Sequence, residues 1–257
     1  MTKVSNLEMI SIIMPVYNTG HFFFDSYKSI LNQNIDNYEL IVVDDGSIND
    51  TYSAIKEFSK SDKRIKLYQN KENMGVAFTR NYAMSKAQGK YLAFLDCGDI
   101  WLENKLALQI SKIKKTESDL CFTSYQYFDP EEKKVRIVYR VPECIDYKTL
   151  LKENYIGCST VLINRERIRD LSFDAAFFHE DYVLWLKLIR SGKKFVGIEN
   201  VLTDYRIGGR SSNKIKAAHN RWLVYRNAEK LNFFSSLYYF LNYITKSFYK
   251  FVFRKRG

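Results

Sequence analysis

The sequence predicts an α/β fold with a mainly parallel sheet, and three observations support this prediction. Over the first 130 residues, short apolar runs alternate with stretches of helical spacing. Helices placed between successive strands are typical of parallel sheets that are covered on both faces. The 257 residues are 46% hydrophobic and 16% aromatic, which is enough for one sizeable core. With only 3 Pro and 11 Gly, the composition excludes disordered and collagen-like chains.

The first hundred residues contain four predicted strands and three predicted helices. Each strand is a short apolar or β-branched run, and each helix repeats apolar residues at intervals of three and four. The strands are predicted at Ile10–Met14, Tyr38–Val43, Arg64–Gln69 and Tyr91–Leu95. The helices are predicted at Phe22–Asn32, 50–60 and Gly75–Ala87. Residues 1 to about 118 are therefore expected to form the first half of a domain.

The pattern from 119 to 212 is less regular. Strands are predicted at Leu120–Phe128 and Val135–Tyr139 around a turn at Asp129–Pro130, and a further strand at Ser159–Ile163. A helix predicted at Tyr182–Ile189 follows His179–Asp181, whose acids suit a helix N-terminus. Glycines and serines at 208–212 predict a flexible loop. We expect this part to complete a domain of residues 1–212.

Residues 213–257 differ from the rest of the chain in charge. They hold ten Lys or Arg and one acid, so they carry +9 of the formal net charge of +11. Two helices are predicted, and the second is amphipathic, aromatic and basic, which is typical of helices that lie in a membrane interface. We expect segment 232–257 to contact an anionic membrane surface. The alternatives are a helix that packs its apolar stripe on the protein's own core, or a tail that binds nucleic acid, which the nearly neutral body disfavours.

Polar clusters follow three of the predicted strands, at Pro15–Asn18, Asp44–Ser47 and Asp96–Asp99. Ligands bind beyond the carboxyl ends of parallel strands, so the clusters are predicted to form one site. The alternative is that they are ordinary turn residues. Asp96 and Asp99 would repel each other unless a cation lay between them, and carboxylates suit Mg²⁺ or Mn²⁺ together with a substrate phosphate.

Several other kinds of site lack their signatures in this sequence. No glycine-rich phosphate loop occurs, which disfavours dinucleotide oxidoreductases and P-loop NTPases. A phosphate ligand would then depend on metal and on arginine, with Arg80 and Arg206 as candidates. The four cysteines stand far apart without a CxxC pair, which argues against a zinc site and a disulfide framework and suits a reducing compartment.

Five motifs stand in the order found in one enzyme family. They read SIIMPVYN, IVVDDGS, NMGVAFTRNYAM, YLAFLDCGDIW and HEDYVLWLKLIRSGKK, and they cover about residues 10–195. Together they resemble the successive motifs of family 2 glycosyltransferases with the GT-A fold. The later run LTDYRIGGRSSNKIKAAHNRWLVYR is similar to members that build bacterial surface polysaccharides, such as teichuronic acid, O-antigen or capsule. The resemblance implies a GT-A-type, Rossmann-like nucleotide-binding domain followed by a helical C-terminal extension.

The resemblance also implies an activity and the residues that carry it. The activity is the inverting transfer of a hexose or N-acetylhexosamine from a UDP-sugar to a hydroxyl of a glycan or lipid-linked glycan acceptor. Residues 1–118 would bind the nucleotide sugar and 119–212 the acceptor. A single carboxylate can take the proton of the acceptor hydroxyl, and this role falls to Asp181, supported by Glu180. Donor contacts would come from Pro15, Tyr17, Asn18, Asp44, Asp45, Arg80, Asp96 and Arg206, with Ser211 in support.

The sequence departs from the family pattern at Gly98, where members commonly carry an acid of the metal-binding Asp-x-Asp motif. Asp96 and Asp99 would then hold Mn²⁺ or Mg²⁺, or the protein would bind metal weakly or do without it. The alternative function is nucleotide-sugar binding without turnover. We expect the protein to be cytoplasmic and peripheral on the inner face of the cell membrane, near a polyprenyl-diphosphate-linked acceptor. No nucleic-acid partner is expected.

Overall fold

The computed structural model describes residues 8–129, 134–168, 170–207 and 214–253, with backbone only at 136, 214 and 247–253. The strands are β1 (Ile10–Val16), β2 (Tyr38–Asp44), β3 (Ile65–Gln69), β4 (Tyr91–Phe94), β5 (Ile100–Trp101), β6 (Leu120–Asp129), β7 (Lys134–Tyr139), β8 (Leu162–Asn164) and β9 (Phe195–Arg206). The helices are α1 (Phe22–Leu31), α2 (Thr51–Ser59), α3 (Val76–Lys86), α4 (Lys105–Thr116), α5 (Tyr147–Lys152), α6 (Glu180–Arg190), α7 (Lys214–Leu223) and α8 (Phe233–Phe253).

The described strands form one sheet in the order β3-β2-β1-β4-β8-β6-β9-β5, with β7 paired to β6. The pairs β1–β2, β1–β4, β2–β3 and β6–β9 are parallel. The strand β8 joins β4 to β6 through antiparallel pairs, and β5 lies antiparallel to β9. The chain therefore has a parallel half-sheet, β3 to β4, that antiparallel strands extend.

Both faces of the sheet are buried. Neighbouring residues of β1 point to opposite sides, so Ile13 belongs to one apolar cluster and Ile12 to the other. The first cluster lies under α3 and α6, and the second under α1 and α4. Because every residue of β2 is buried, this strand reads as a continuous apolar run with no alternation.

The predicted elements of the first half are confirmed, with differences of a few residues at their ends. The strand predicted at Ser159–Ile163 is wrong in its first half. Residues Cys158–Thr160 form a 3₁₀ turn, and the strand β8 begins only at Leu162. The sequence analysis also missed β5, α4, α5 and the twelve-residue β9, whose middle carries the polar pair Glu199–Asn200.

The C-terminal segment is helical, as predicted, and it packs on the body. Val224 and Tyr225 lie fully buried in the main core, and the Tyr225 hydroxyl donates to the Leu151 carbonyl oxygen at 2.8 Å. On α8, the Phe240 ring meets Trp222 edge to face. The proposed boundaries at about 118 and 212 stay predictions. Among the described residues, no helix has the length and apolar character needed to span a bilayer.

The helix α8 also carries large apolar side chains that are exposed to solvent. We call these residues the α8 patch: Phe233, Phe234, Leu237, Tyr238, Leu241 and Ile244. Phe234 is 81% exposed, the highest exposed fraction among the aromatic residues of the α8 patch. Large apolar side chains that are exposed together on one helix are typical of an interaction site.

Candidate active site

The site lies where β1, β2 and β4 end, because parallel strands bring their carboxyl ends to one edge of the sheet. At the end of β2 the two carboxylates point to different sides. Asp44 accepts hydrogen bonds from the Ser47 backbone N–H at 3.1 Å and from the Gln69 side-chain amide at 3.0 Å. Asp45 accepts from the backbone N–H groups of Met74 and Gly75, both at 2.9 Å. Each carboxylate therefore fixes a loop at the edge of the predicted donor pocket.

The loop after β1 is tied to the loop after β2. Asn18 has a left-handed backbone, with φ of 51°, and its N–H donates to Ser47 Oγ at 2.8 Å. In return, the Asn18 side-chain oxygen accepts from the Ile48 N–H at 3.0 Å. Pro15 lies within β1, and Tyr17 is 45% exposed at its end. The predicted donor residues Pro15, Tyr17 and Asn18 thus lie on one connected rim.

The acidic loop after β4, Asp96–Asp99, is held from both sides by serines. Ser26 of α1 accepts from the Gly98 N–H at 2.9 Å and donates to the Asp99 carbonyl oxygen at 2.8 Å. Ser159 accepts from the Asp96 N–H at 3.0 Å and donates to Asp99 Oδ2 at 2.6 Å. The loop is therefore a rigid part of the site.

The two acids of this loop have different surroundings. The Asp99 side chain is buried, and its Oδ1 accepts from the Arg206 backbone N–H at 3.1 Å. Burial and the neighbouring Asp96 carboxylate raise the pKa of Asp99 to about 8. The Asp96 side chain remains 37% exposed, at the face where the donor is predicted to bind. Only Asp96 offers a carboxylate to a ligand.

Arg80, which the resemblance places near the donor diphosphate or ribose, lies beside this loop, and its guanidinium joins two acids. Nη2 donates to both Asp96 oxygens, at 2.6 and 2.8 Å, and Nη1 donates to Glu180 Oε1 at 2.6 Å. Arg80 and Glu180 are each only 2% exposed. Buried carboxylates need such a counter-charge, because an unpaired charge in the interior is costly.

The predicted base stands at the first turn of α6. Asp181 is half-buried, and its Oδ1 accepts from the Tyr182 N–H at 2.7 Å. Burial and the like charge of Glu180 raise the pKa of Asp181, and the Arg80 guanidinium partly opposes this rise. A carboxyl group whose pKa is raised toward neutrality is a better proton acceptor near neutral pH than an ordinary aspartate.

Arg206, at the end of β9, covers Gly98, the position at which the sequence resemblance implies an acid. Its guanidinium carbon lies 3.1 Å from the centre of the Phe22 ring. A Cβ atom built on Gly98 would lie 3.3 Å from Arg206 Cδ, and φ at Gly98 is +102°. Arg206 Nη1 is buried without a hydrogen-bond partner in the described part of the chain. The guanidinium therefore brings positive charge to the acidic loop, with one nitrogen that no described residue binds.

Of the two acids in the loop after β4, Asp96 is the one whose position suits a divalent cation. In the part of the chain that the structure describes, no group of three or more His, Cys, Asp or Glu side chains could hold a metal ion. The Asp99 carboxylate is buried and bonded to Ser159 and to the Arg206 backbone, whereas the Asp96 carboxylate is partly exposed although both of its oxygens accept from Arg80. Asp96 is left as one exposed carboxylate, and Mg²⁺ or Mn²⁺ commonly binds one or two carboxylates together with substrate phosphates.

The structure brings nearly all predicted site residues to this edge of the sheet. Ser211 lies outside the described residues. Sequence reasoning missed Ser26 and Ser159, which hold the acidic loop, and Tyr205, whose hydroxyl accepts from the Ser159 N–H at 2.9 Å. Single serines on a helix and in a 3₁₀ turn leave no pattern in the sequence, so no signal pointed to them.

Comparisons with known proteins agree with this arrangement. The model of the family described as glycosyl transferase family 2 matches residues 11–178. TuaG of Bacillus subtilis, described as a teichuronic acid biosynthesis glycosyltransferase, is 34% identical over 91% of this chain and 94% of its own length. WfgD of Escherichia coli, named a UDP-Glc:alpha-D-GlcNAc-diphosphoundecaprenol beta-1,3-glucosyltransferase, is 38% identical over 92% of each chain.

Solved structures match the fold at low sequence identity. Staphylococcus aureus TarS 1–349 in complex with UDP matches 96% of this chain and 73% of its own, with a TM-score of 0.68 and 17% identity. The mannosyltransferase PcManGT of Pyrobaculum calidifontis, in complex with GDP-Man and Mn²⁺, covers 89% of this chain and 66% of its own. Its TM-score is 0.68 at 16% identity. These likenesses concern the fold alone.

Proposed function

The chain belongs to the glycosyltransferases of family 2, with the GT-A fold, and from that premise we propose that it transfers a hexose from a UDP-sugar to a lipid-linked glycan in bacterial surface-polysaccharide synthesis. The names of TuaG and WfgD support this choice of pathway and acceptor. UDP-glucose is the first donor to test, because WfgD is named for it. One observation carries the proposal: Arg80 joins Asp96, at the donor edge, to the Glu180–Asp181 pair.

Asp181 would act as the general base. The acceptor hydroxyl is a weak nucleophile near neutral pH, so a carboxylate must take its proton as the new glycosidic bond forms. The proton passes to a carboxylate oxygen of Asp181 while the acceptor oxygen attacks the anomeric carbon. The bond from that carbon to the nucleotide diphosphate breaks on the opposite face, which inverts the anomeric configuration. A single base suffices, because the diphosphate leaves without being protonated by a second carboxyl group.

The departing diphosphate would be stabilised by positive charge at the acidic loop. Arg206 is placed for this, because its Nη1 has no hydrogen-bond partner among the described residues and the loop lies below it. A Mn²⁺ or Mg²⁺ ion held by Asp96 and by the donor would supply Lewis-acid stabilisation of the same charge. Asp99 would position Arg206 by accepting a hydrogen bond from the Arg206 backbone N–H. It would not bind the ion directly.

The direct test of the function is a transfer assay with Asp181→Asn as the matched variant. Wild-type protein should melt at a higher temperature with UDP, and it should transfer glucose from UDP-glucose to a GlcNAc-diphosphate lipid. Asp181→Asn should keep the UDP-induced shift and lose transfer by about 10²–10⁴-fold. Full transfer by Asp181→Asn would refute the assignment of the base. A UDP shift without turnover on any tested lipid acceptor would support nucleotide-sugar binding alone.

The α8 patch would hold the enzyme at the inner face of the cell membrane. Six exposed apolar side chains lie along one helix, and the segment 213–257 carries nine net positive charges. Exposed apolar side chains within a basic segment favour adsorption to anionic bilayers. A membrane position would bring the site near an acceptor that is itself anchored by a lipid.

Vesicle sedimentation tests the membrane contact. The triple variant Phe234→Ser, Leu237→Ser, Leu241→Ser removes much of the α8 patch without touching the buried side of the helix. We expect the wild type to sediment with vesicles that contain phosphatidylglycerol and the triple variant to stay in the supernatant. Leu108→Ser, an exposed leucine on α4, is the matched control and should sediment like the wild type. Equal sedimentation of the triple variant would contradict the proposed contact.

A further inference from the structure

Both terminal nitrogens of Arg80 are bonded to protein carboxylates, whereas its Nε is buried without a hydrogen-bond partner among the described residues. Its side chain is 2% exposed, and both terminal nitrogens donate to carboxylates at 2.6 Å. The guanidinium carbon also lies 5.3 Å from the centre of the Phe173 ring. The resemblance to the family implies a contact between this arginine and the donor. In the structure, its geometry is that of an internal bridge.

The Arg80 bridge connects the donor side of the site to the helix that carries the base. Asp96 belongs to the loop where the donor diphosphate is expected, whereas Glu180 belongs to the first turn of α6 and directly precedes the base. Arg80 and Glu180 are 100 residues apart in the chain, so this contact fixes α6 relative to α3. A forked, planar guanidinium can serve two carboxylates at once, which a lysine ammonium cannot do with the same geometry.

Asp181 interacts electrostatically with Glu180 on the same helix, with Arg80 on α3, with Asp96 on the loop after β4 and with Cys158 on the 3₁₀ turn. Glu180 disfavours the ionised form of Asp181, and Arg80 favours it. The charge on Asp181 therefore depends on how firmly Arg80 is held by its two partners.

We propose that Arg80 and Glu180 are positioning residues, which form a bridge from the donor loop that orients Asp181 and sets its charge. This inference rests on the proposed function, because it concerns the base of that reaction. Arg80 touches neither substrate in this role, and it acts through Asp96 and Glu180. Arg80 then affects both the donor-binding loop, through Asp96, and the base that activates the acceptor, through Glu180.

The pH dependence of kcat provides the test, because a purely structural contact would not shift it. The profile is measured with UDP-glucose and a GlcNAc-diphosphate lipid for the wild type, Glu180→Gln, Arg80→Gln and Arg80→Lys. Glu180→Gln removes the like charge and keeps an oxygen that accepts from Arg80, so the acid limb should move to lower pH. Arg80→Gln removes the positive charge, so the limb should move to higher pH.

The changes in kcat and KM should distinguish a positioning role of Arg80 from a role in donor binding. Arg80→Gln should lower kcat about tenfold or more, while KM for UDP-glucose changes by less than about threefold. Arg80→Lys should restore the position of the acid limb and only part of kcat, because the ammonium keeps the charge but not the fork. Arg64→Gln is the matched control. It breaks an ion pair with Asp62 far from the site, and it should leave the limb in place.

The outcomes distinguish this inference from the function on which it depends. If Glu180→Gln is active and its acid limb coincides with that of the wild type, the bridge does not set the charge of Asp181 and the proposal is overturned. Glu180→Gln decides the matter even if the Arg80 variants fail to fold, because it is nearly isosteric. If the wild type itself lacks transfer, the proposed function fails instead. A large rise in KM with unchanged kcat in Arg80→Lys would assign Arg80 to donor binding.

Discussion

Lys105 is a lysine buried in the core next to the site, and replacing it should stabilise the protein in a pH-dependent way. Its side chain is 0% exposed, and its Nζ donates to Gln109 Oε1 at 2.8 Å and lies 4.4 Å from the centre of the Trp101 ring. Burial lowers the pKa of the Lys105 ammonium from 10.5 to about 7. We expect Lys105→Met to raise the free energy of unfolding at pH 6.

The magnitude follows from that pKa. Each unit by which the pKa of Lys105 in the folded protein lies below its value in the unfolded chain corresponds to about 1.4 kcal/mol. Below pH 7, where Lys105 is charged in both states, its burial therefore costs about 5 kcal/mol of folding stability. That cost already includes the contacts that favour the ammonium, so only the hydrogen bond to Gln109 offsets it, by about 1 kcal/mol. The net stabilisation at pH 6 should be about 4 kcal/mol. In the folded state Lys105 loses its proton near pH 7, whereas the unfolded chain keeps it until about pH 10.5. Wild-type stability therefore rises with pH through this window, and the advantage of the variant shrinks.

Urea unfolding at pH 6 and pH 9.5 measures both quantities by linear extrapolation. At pH 9.5 the difference between wild type and Lys105→Met should fall to within about 1 kcal/mol. Lys63→Met, which replaces an exposed lysine, controls for the loss of one surface charge and should be nearly neutral at both values. Parallel pH profiles for the wild type and Lys105→Met would refute the reasoning, because they would mean that Lys105 stays charged in the folded protein.

Two further predictions concern the donor edge. Gly46→Ala would place a Cβ atom 2.5 Å from the Glu72 carbonyl carbon at a φ of +70°, so the turn that donates to Asp45 must shift. UDP affinity, measured by thermal-shift titration, should fall about tenfold, and normal affinity would contradict the role of this turn. Asp99→Asn should retain any Mn²⁺ dependence of UDP binding, whereas Asp96→Asn should lose it, because only Asp96 exposes its carboxylate. The reverse order in the same titration would make Asp99 the ligand.

The donor edge was predictable because its signals are local. The run of β-branched residues in β2 predicts a buried strand, and the polar residues that follow it mark the carboxyl end. The strand β9 carries no comparable signal, since it is stabilised by its parallel pairing with β6, far away in the sequence. The same holds for Ser159, which becomes part of the site only because a 3₁₀ turn places it under the acidic loop. Pattern reasoning finds strand ends and misses the partners that long-range contacts bring to them.

Gly98 shows how two distant positions depend on each other. An acid at this position would need a backbone φ of +102°, which L-residues rarely adopt, and its Cβ would press on Arg206 Cδ at 3.3 Å. It would also add a further carboxyl group beside Asp96 and the buried Asp99, whose pKa is already raised. With glycine, the guanidinium of Arg206 can lie across the loop and stack on Phe22. The loop has one acid fewer and an arginine in close contact, so its charge is more positive than that of an Asp-x-Asp loop. A substitution of Gly98 is therefore expected to displace the Arg206 side chain as well.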